Sequence, residues 1–232
     1  MREIHRAGKH RTHDGKNPPQ SALRLAKSRD FSLLSSYINT AVELDPQLVV
    51  AYYVGAFFLS TPSPSGAGRP DLAVNLLQRG IKANPDYWRF WHHLGFTYYW
   101  ELGDYEKAAA AYLEGSKNPN ARGFMKAMAA TITAKGGNRE TSRFMWTEIR
   151  DSTDDETIRA NANRNLMLLA VADDTEGLQR AAQEFQRRNG RWPDSFREMV
   201  AAGILAREPL DPLKFPYVLS AAGEVKIGRA HV

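Results

Sequence analysis

An aromatic and polar cluster between residues 89 and 100 offers the clearest binding chemistry in the sequence. Its members are Arg89, His92, Phe96, Tyr99 and Trp100. An arginine guanidinium holds a carboxylate through paired N–H donors, and aromatic rings form the apolar anchors of many protein interfaces. We therefore predict a site for a protein segment that carries a carboxylate and apolar side chains. The alternative is that these rings pack against neighbouring helices or against the C-terminal segment.

The remaining polar groups favour helix structure over metal binding or catalysis. His92 and His93 are adjacent, and adjacent helical residues point about 100° apart, so they do not chelate one ion together. The acidic run Asp154–Glu156 lacks the glycine and ligand spacing of a calcium loop, and is predicted to begin a helix. The sequence contains no nucleophile elbow, zinc-protease motif, Walker loop or dinucleotide fingerprint. We predict no enzyme activity, no cofactor and no metal site.

Composition narrows the classes of partner. The chain has 232 residues, of which 43% are hydrophobic and 25% charged, and its net charge is +5. No stripe of Lys and Arg interleaved with aromatics accompanies this charge, so a nucleic-acid partner is disfavoured. The chain has no cysteine, which excludes disulfides and thiolate chemistry. No apolar run is long enough to span a bilayer, and the sequence as given predicts a cytoplasmic protein.

The stretch from Trp88 to Pro119 has the pattern of two helices packed against each other. A turn is predicted at Gly103-Asp104-Tyr105, between two sets of residues at helical spacing. Because Gly95 has no side chain, a second helix can approach there. The first set is Trp91, Leu94, Gly95 and Tyr98, and the second is Ala108, Tyr112 and Gly115, with Pro119 ending the unit.

This alternation of large and small residues closely resembles the tetratricopeptide repeat (TPR) signature. In that family the first helix of each pair lines a concave groove. The resemblance implies that Arg89, His92, Phe96, Tyr99 and Trp100 face the groove. It also implies that Trp91, Leu94, Gly95, Tyr98, Ala108, Tyr112 and Pro119 pack the repeat.

Neighbouring segments repeat the pattern. A helix over about 48–59 and another over about 70–83 carry the same spacing, and Leu44-Asp45-Pro46 ends the helix before them. Pro46 and Pro85 are 39 residues apart, whereas Pro85 and Pro119 are 34 apart. Since the repeat period is about 34, the excess lies in the loop over residues 60–68, either a recognition element or a tolerated insertion. A weaker pair follows, with Phe124 and Met125 on one helix and Phe144 and Met145 on the next.

The last third of the chain is predicted to hold two further helices and a small C-terminal element. One helix begins near Asp155 and runs to Ala170, and a second begins at a cap near Asp174 and ends near Arg188. Pro193 begins another helix, and two short strands, Tyr217–Leu219 and Glu224–Ile227, form a β-hairpin. This element of about forty residues is too small to hold a core alone, so we expect it to pack on the last helices.

The segment from Gly190 to Val225 is similar to the C-terminal extension of a family of uncharacterised bacterial TPR proteins. Its Asp-Pro and Pro-Tyr pairs are also similar to the end of pseudopilin-like domains. Members of that family often begin with a membrane anchor, which implies the cell envelope. We expect a disordered basic lead-in over residues 1–20, helical repeats over 21–189 and the extension over 190–232. Residues 226–232 match what a sequencing adapter would encode, and we expect them to be non-native.

These observations predict an all-α fold: a right-handed TPR-like helical-hairpin solenoid with a small C-terminal helix plus β-hairpin cap. The predicted function is a non-catalytic scaffold or adaptor that binds a peptide or helix of a partner protein in its concave groove. The alternative is a structural subunit of a bacterial cell-envelope assembly, related to secretion or pili, and an anchor upstream of this chain would favour it. RNA binding is a third, weaker alternative. The sequence indicates neither the partner's identity nor the oligomeric state.

Overall fold

The computed structural model describes residues 31–228. The predicted lead-in over residues 1–20 and the last four residues therefore lie outside the described residues. The chain divides into two compact units between Ala83 and Asn84.

Within residues 31–83, the described part of the first unit forms three helices, α1 (Leu34–Leu44), α2 (Val49–Ser60) and α3 (Pro70–Ala83). They meet at Gly55, where an added Cβ would lie 2.8 Å from Cδ1 of Ile38 and 3.0 Å from Cδ2 of Leu76. The absence of a side chain at this position thus lets α2 pack closely against both neighbours. Pro70 begins α3, where its missing N–H costs no helical hydrogen bond.

The long loop predicted between α2 and α3 folds back on the end of α2. The backbone N–H of Ala67 donates to the carbonyl of Phe58 at 2.8 Å, and that of Arg69 donates to the carbonyl of Leu59 at 2.7 Å. These bonds satisfy carbonyls that the end of a helix leaves unpaired.

The second unit begins with two helical hairpins. Helix α4 (Arg89–Phe96) continues into a π-helical turn (Thr97–Glu101), and α5 (Tyr105–Ser116), α6 (Phe124–Lys135) and α7 (Arg139–Ser152) follow. Each helix packs against the next one along the chain. Asp104 and Asn138 cap α5 and α7, since their side chains accept the backbone N–H of Lys107 and Thr141, each at 3.0 Å.

Helix α8 (Glu156–Asn189) is one helix of 34 residues, and the prediction of two separate helices with a cap near Asp174 is wrong. Asp155 does cap its start, as predicted, by accepting the N–H of Thr157 at 2.7 Å. Asp173, by contrast, pairs with Arg139 at 2.7 Å and with Arg143. With its carboxylate neutralised by α7, and with no proline to stop it, the helix runs on.

The C-terminal extension packs on α8, as the sequence predicts. It contains a short helix, α9 (Phe196–Ala201), and two strands, β1 (Tyr217–Leu219) and β2 (Val225–Ile227), that pair in antiparallel register. The Gln179 side chain of α8 holds the hairpin: it donates to the carbonyl of Gly223 at 2.8 Å and accepts the N–H of Val225 at 3.0 Å. The shared core is formed by Val171, Leu178, Ala182, Phe185, Phe196, Met199, Tyr217 and Val225.

The predicted class, helical hairpins followed by a small β-hairpin, is confirmed. Among the residues that the structure describes, no helix combines the length and the apolar character needed to cross a bilayer.

Candidate functional site

The predicted groove residues lie on α4 and on the π-helical turn that ends it. In this turn the N–H of Leu102 donates to the carbonyl of Thr97 at 3.2 Å, five residues back. The buried Thr97 hydroxyl donates to the carbonyl of His93 at 2.9 Å. Such single π turns insert one residue into a helix and recur at functional sites. Here the extra residue changes which side chains after Thr97 face the helices that follow.

Three of the five predicted groove residues are exposed. Arg89 and Phe96 are two helical turns apart and therefore share a face. The rings of Phe96 and Trp100 are stacked, with centroids 6.2 Å apart and planes inclined by 9°, and Trp100 is 66% exposed. We call Arg89, Phe96 and Trp100 the α4 surface.

The Arg89 guanidinium rests on aromatic rings and not on an acid. Its carbon lies 5.0 Å from the centroid of the Trp88 ring and 5.8 Å from that of Tyr87. Within residues 31–228 no carboxylate lies within salt-bridge distance of Arg89. The two rings hold the guanidinium in place and leave its N–H donors accessible.

His92 and Tyr99 are half-buried and contact other helices of the same unit. The His92 ring packs edge-on against Tyr112 and Phe124, at 5.6 and 5.5 Å, and burial lowers its pKa. The Tyr99 hydroxyl accepts a hydrogen bond from Nζ of Lys135 on α6 at 2.5 Å. This bond raises the pKa of the Lys135 ammonium.

The residues predicted to pack the repeat surround two glycines. An added Cβ at Gly95 would lie 2.6 Å from the Tyr112 ring, and one at Gly115 would lie 2.5 Å from Cβ of Trp91. Leu94, Ala108 and Tyr112 are buried, Trp91 and Tyr98 are half-buried, and Pro119 is exposed in the turn between α5 and α6.

Sequence reasoning missed a groove between α5 and α7. Two adjoining cavities of about 690 and 630 Å³ share Leu113, Thr141 and Met145. Phe144 lines the second cavity and is 64% exposed, although its spacing suggested a packing position. The available signal was that Leu113 and Phe144 are apolar but stand apart from the large and small residues of the repeat pattern.

The buried histidine of this region is neutral at physiological pH. Burial, with a smaller effect from His92, lowers the pKa of His93 to about 4. In the described part of the chain, no group of three or more His, Asp or Glu side chains is arranged to hold a metal ion.

Comparison with known proteins agrees with this geometry. The family model of the tetratricopeptide repeat matches residues 89–117, which span α4, the π-helical turn and α5. No curated protein matches the chain. The matched residues form a helical hairpin that closes over Gly95 and Gly115. Along the chain, α2 and α3 precede this hairpin, and α6 and α7 follow it. The chain is therefore a TPR-containing protein.

Proposed function

We propose that this protein is a non-catalytic scaffold that binds a segment of a partner protein at the α4 surface. TPR units serve as protein-interaction modules, and the observation that carries the proposal is the exposed Phe96–Trp100 stack beside Arg89. Stacked aromatics supply apolar contact area at a low entropic cost. A guanidinium with free donors recognises a carboxylate through paired hydrogen bonds.

The five predicted groove residues take two roles in this proposal. Arg89, Phe96 and Trp100 contact the partner. His92 and Tyr99 support them from behind, since His92 packs on Tyr112 and Tyr99 is fixed by Lys135. A segment with a carboxylate next to one or two large apolar side chains fits this arrangement.

A displayed library of random peptides with free C-termini tests the proposal. Selected peptides are expected to carry aromatic or aliphatic residues near a carboxylate. Trp100→Ala should weaken the best synthetic peptide at least about tenfold, as expected of an aromatic anchor. Arg89→Ala should weaken it by a similar factor.

A double-mutant cycle locates the carboxylate contact. Replacing the peptide carboxylate by an amide should cost little further affinity in Arg89→Ala, because each change removes the same contact. Phe144→Ala is the matched control, since it removes an equally exposed aromatic from the α5–α7 side. The proposal fails if the selected peptides bind Trp100→Ala as well as the unmodified protein, or if Phe144→Ala has the larger effect.

A further inference from the structure

The side chain of Lys135, at the end of α6, reaches the π-helical turn that carries Trp100. Its Nζ donates a hydrogen bond to the Tyr99 hydroxyl at 2.5 Å, across 36 positions of the chain. Within residues 31–228 no carboxylate lies within salt-bridge distance of Lys135. The ammonium is therefore directed at a tyrosine of this turn and not at an acid.

The contact between Lys135 and Tyr99 is made through the hydroxyl group and not through the face of the ring. Nζ lies 5.0 Å from the centre of the Tyr99 ring but only 2.5 Å from the hydroxyl oxygen. An ammonium stacked above the ring centre would be closer to that centre than to the hydroxyl, which lies outside the ring. Tyr99→Phe would therefore remove this contact while keeping the ring in place.

A close approach between the end of α6 and the start of α5 brings Lys135 to this position. Gly136 follows Lys135, and a Cβ added to Gly136 would lie 3.0 Å from Cβ of Tyr105, the first residue of α5. The Tyr105 ring in turn packs against the Tyr99 ring, with centroids 5.8 Å apart and planes inclined by 61°. Tyr99 is thus held by two helices, its hydroxyl by α6 and its ring by α5.

Trp100 packs on two aromatic rings of its own helix. The Phe96 ring is stacked on it at 6.2 Å, and the Tyr99 ring lies 6.3 Å away with the planes inclined by 44°. Trp100 is 66% exposed and Phe96 is itself 41% exposed, whereas Tyr99 is half-buried and tied to α5 and α6. Of the two rings that orient Trp100, Tyr99 is therefore the one that the rest of the unit holds in place.

We propose that Lys135 is a positioning residue of the α4 surface. By its hydrogen bond to Tyr99 it fixes the ring on which Trp100 packs, and it thereby sets the orientation in which Trp100 meets a partner segment. This inference rests on the proposed function, in which Trp100 is an aromatic anchor. The affinity of the α4 surface is then controlled from α6, by a side chain that acts on the partner through Tyr99.

Fluorine NMR of protein labelled with 5-fluorotryptophan tests the proposal without any peptide. The chain has five tryptophans, and Trp100→Phe identifies the signal of Trp100. Lys135→Met removes the ammonium and keeps the aliphatic stem, whereas Tyr99→Phe removes the hydroxyl and keeps the ring. Each should broaden or split the Trp100 signal, because the ring beside it is no longer fixed, and should leave the signal of Trp192 unchanged.

The affinity of the best peptide from the displayed library measures the consequence for binding. Lys135→Met and Tyr99→Phe should each weaken this peptide at least about threefold, and the double variant should bind no more weakly than either single variant, because both changes break the same hydrogen bond. Lys135→Arg keeps an N–H donor at this position and should restore the affinity to within about twofold. A mere effect of the Lys135 charge on the end of α6 would instead leave Tyr99→Phe unchanged.

Lys126→Met is the matched control, since it removes another exposed lysine of α6 and should change neither the Trp100 signal nor the affinity. An unchanged Trp100 signal in both Lys135→Met and Tyr99→Phe would overturn the positioning role, whether or not a peptide binds. A peptide that is lost in Trp100→Ala but binds Lys135→Met normally would overturn it as well. If no peptide binds the unmodified protein, the proposed function fails, and the fluorine signal alone decides whether Lys135 holds Trp100.

Discussion

At the scale of single residues, Gly95 lies against the Tyr112 ring with no room for a side chain between them. Gly95→Ala places a Cβ 2.6 Å from a ring carbon, and the ring is fixed in the core. We expect this change to lower the free energy of unfolding by about 1–3 kcal/mol, the usual effect of overpacking. Urea denaturation measures it.

Gly177→Ala is the matched control for this prediction. Gly177 lies inside α8, and an added Cβ there meets no atom within 4 Å. The substitution should raise stability by about 0.5–1 kcal/mol through helix propensity. If both substitutions change the free energy of unfolding in the same direction, the close approach at Gly95 does not govern the packing of α4 and α5.

Burial of His93 makes stability depend on pH. Its pKa is lowered to about 4 from an unfolded value of about 6.5, so between these values the unfolded chain binds more protons. The contribution of neutral His93 is complete above about pH 6.5 and is lost as pH falls towards 4. The stability lost between neutral pH and pH 4.5 amounts to roughly 2–3 kcal/mol.

His93→Gln removes this titration and isolates its effect. The stability difference between the unmodified protein and the variant should narrow by about 2 kcal/mol between pH 7 and 4.5. Chemical denaturation at the two pH values measures the narrowing. Parallel losses in both proteins would mean that His93 is protonated in the folded state already near neutral pH.

The packing of the residues around Gly95 could be predicted from the sequence. Which of the groove residues are exposed could be predicted only in part. The sizes of Leu94, Gly95 and Tyr112 predict that the large Tyr112 ring packs where Gly95 leaves space. The π-helical turn at Thr97–Glu101 adds one residue to the helix, and no pattern of side chains in the sequence predicts it. That turn accompanies a Tyr99 bonded to Lys135 beside a Trp100 left exposed.

At the scale of elements, α8 depends on charges brought to it by α7. Asp173 accepts from Arg139 and Arg143, which lie at least thirty residues earlier. All three side chains are partly exposed, so the network contributes about 0.5–1 kcal/mol at low ionic strength. Asp173→Asn should lower the free energy of unfolding by that amount at low salt. It should have no measurable effect at about 1 M salt, where the Debye length is only ~3 Å and the ion pairs are screened.

Asp194→Asn provides the comparison. Asp194 is almost fully exposed and lies 3.6 Å from Arg191, so its removal should change stability little at any salt concentration. A salt-independent loss in Asp173→Asn would instead indicate a hydrogen-bonding role of the carboxylate that does not depend on its charge.

The same element explains why the sequence suggested two helices where there is one. Helix starts are favoured by the residue types at Asp173, Asp174 and Thr175. The neighbouring residues in the sequence do not disfavour an N-cap there. The carboxylates are used elsewhere: Asp174 accepts from the Tyr217 hydroxyl of the β-hairpin at 3.1 Å. Only the folded chain brings these partners near.

At the scale of the whole molecule, the chain holds two compact units, and their unfolding can be followed by different spectroscopic signals. All five tryptophans, Trp88, Trp91, Trp100, Trp146 and Trp192, belong to the second unit. Tryptophan fluorescence therefore follows that unit, whereas far-UV circular dichroism follows the helices of both.

If each unit unfolds on its own, substitutions in their two cores must separate the two signals. Leu77→Ala, at a fully buried position of the first unit, and Met199→Ala, at one of the second, should each cost about 2–5 kcal/mol. Leu77→Ala is expected to add an early phase to the circular dichroism curve and to leave the fluorescence midpoint in place. Met199→Ala should lower the fluorescence midpoint. Both probes shifting together in both variants would mean that the chain unfolds as one cooperative body, because coincident transitions are the mark of two-state behaviour.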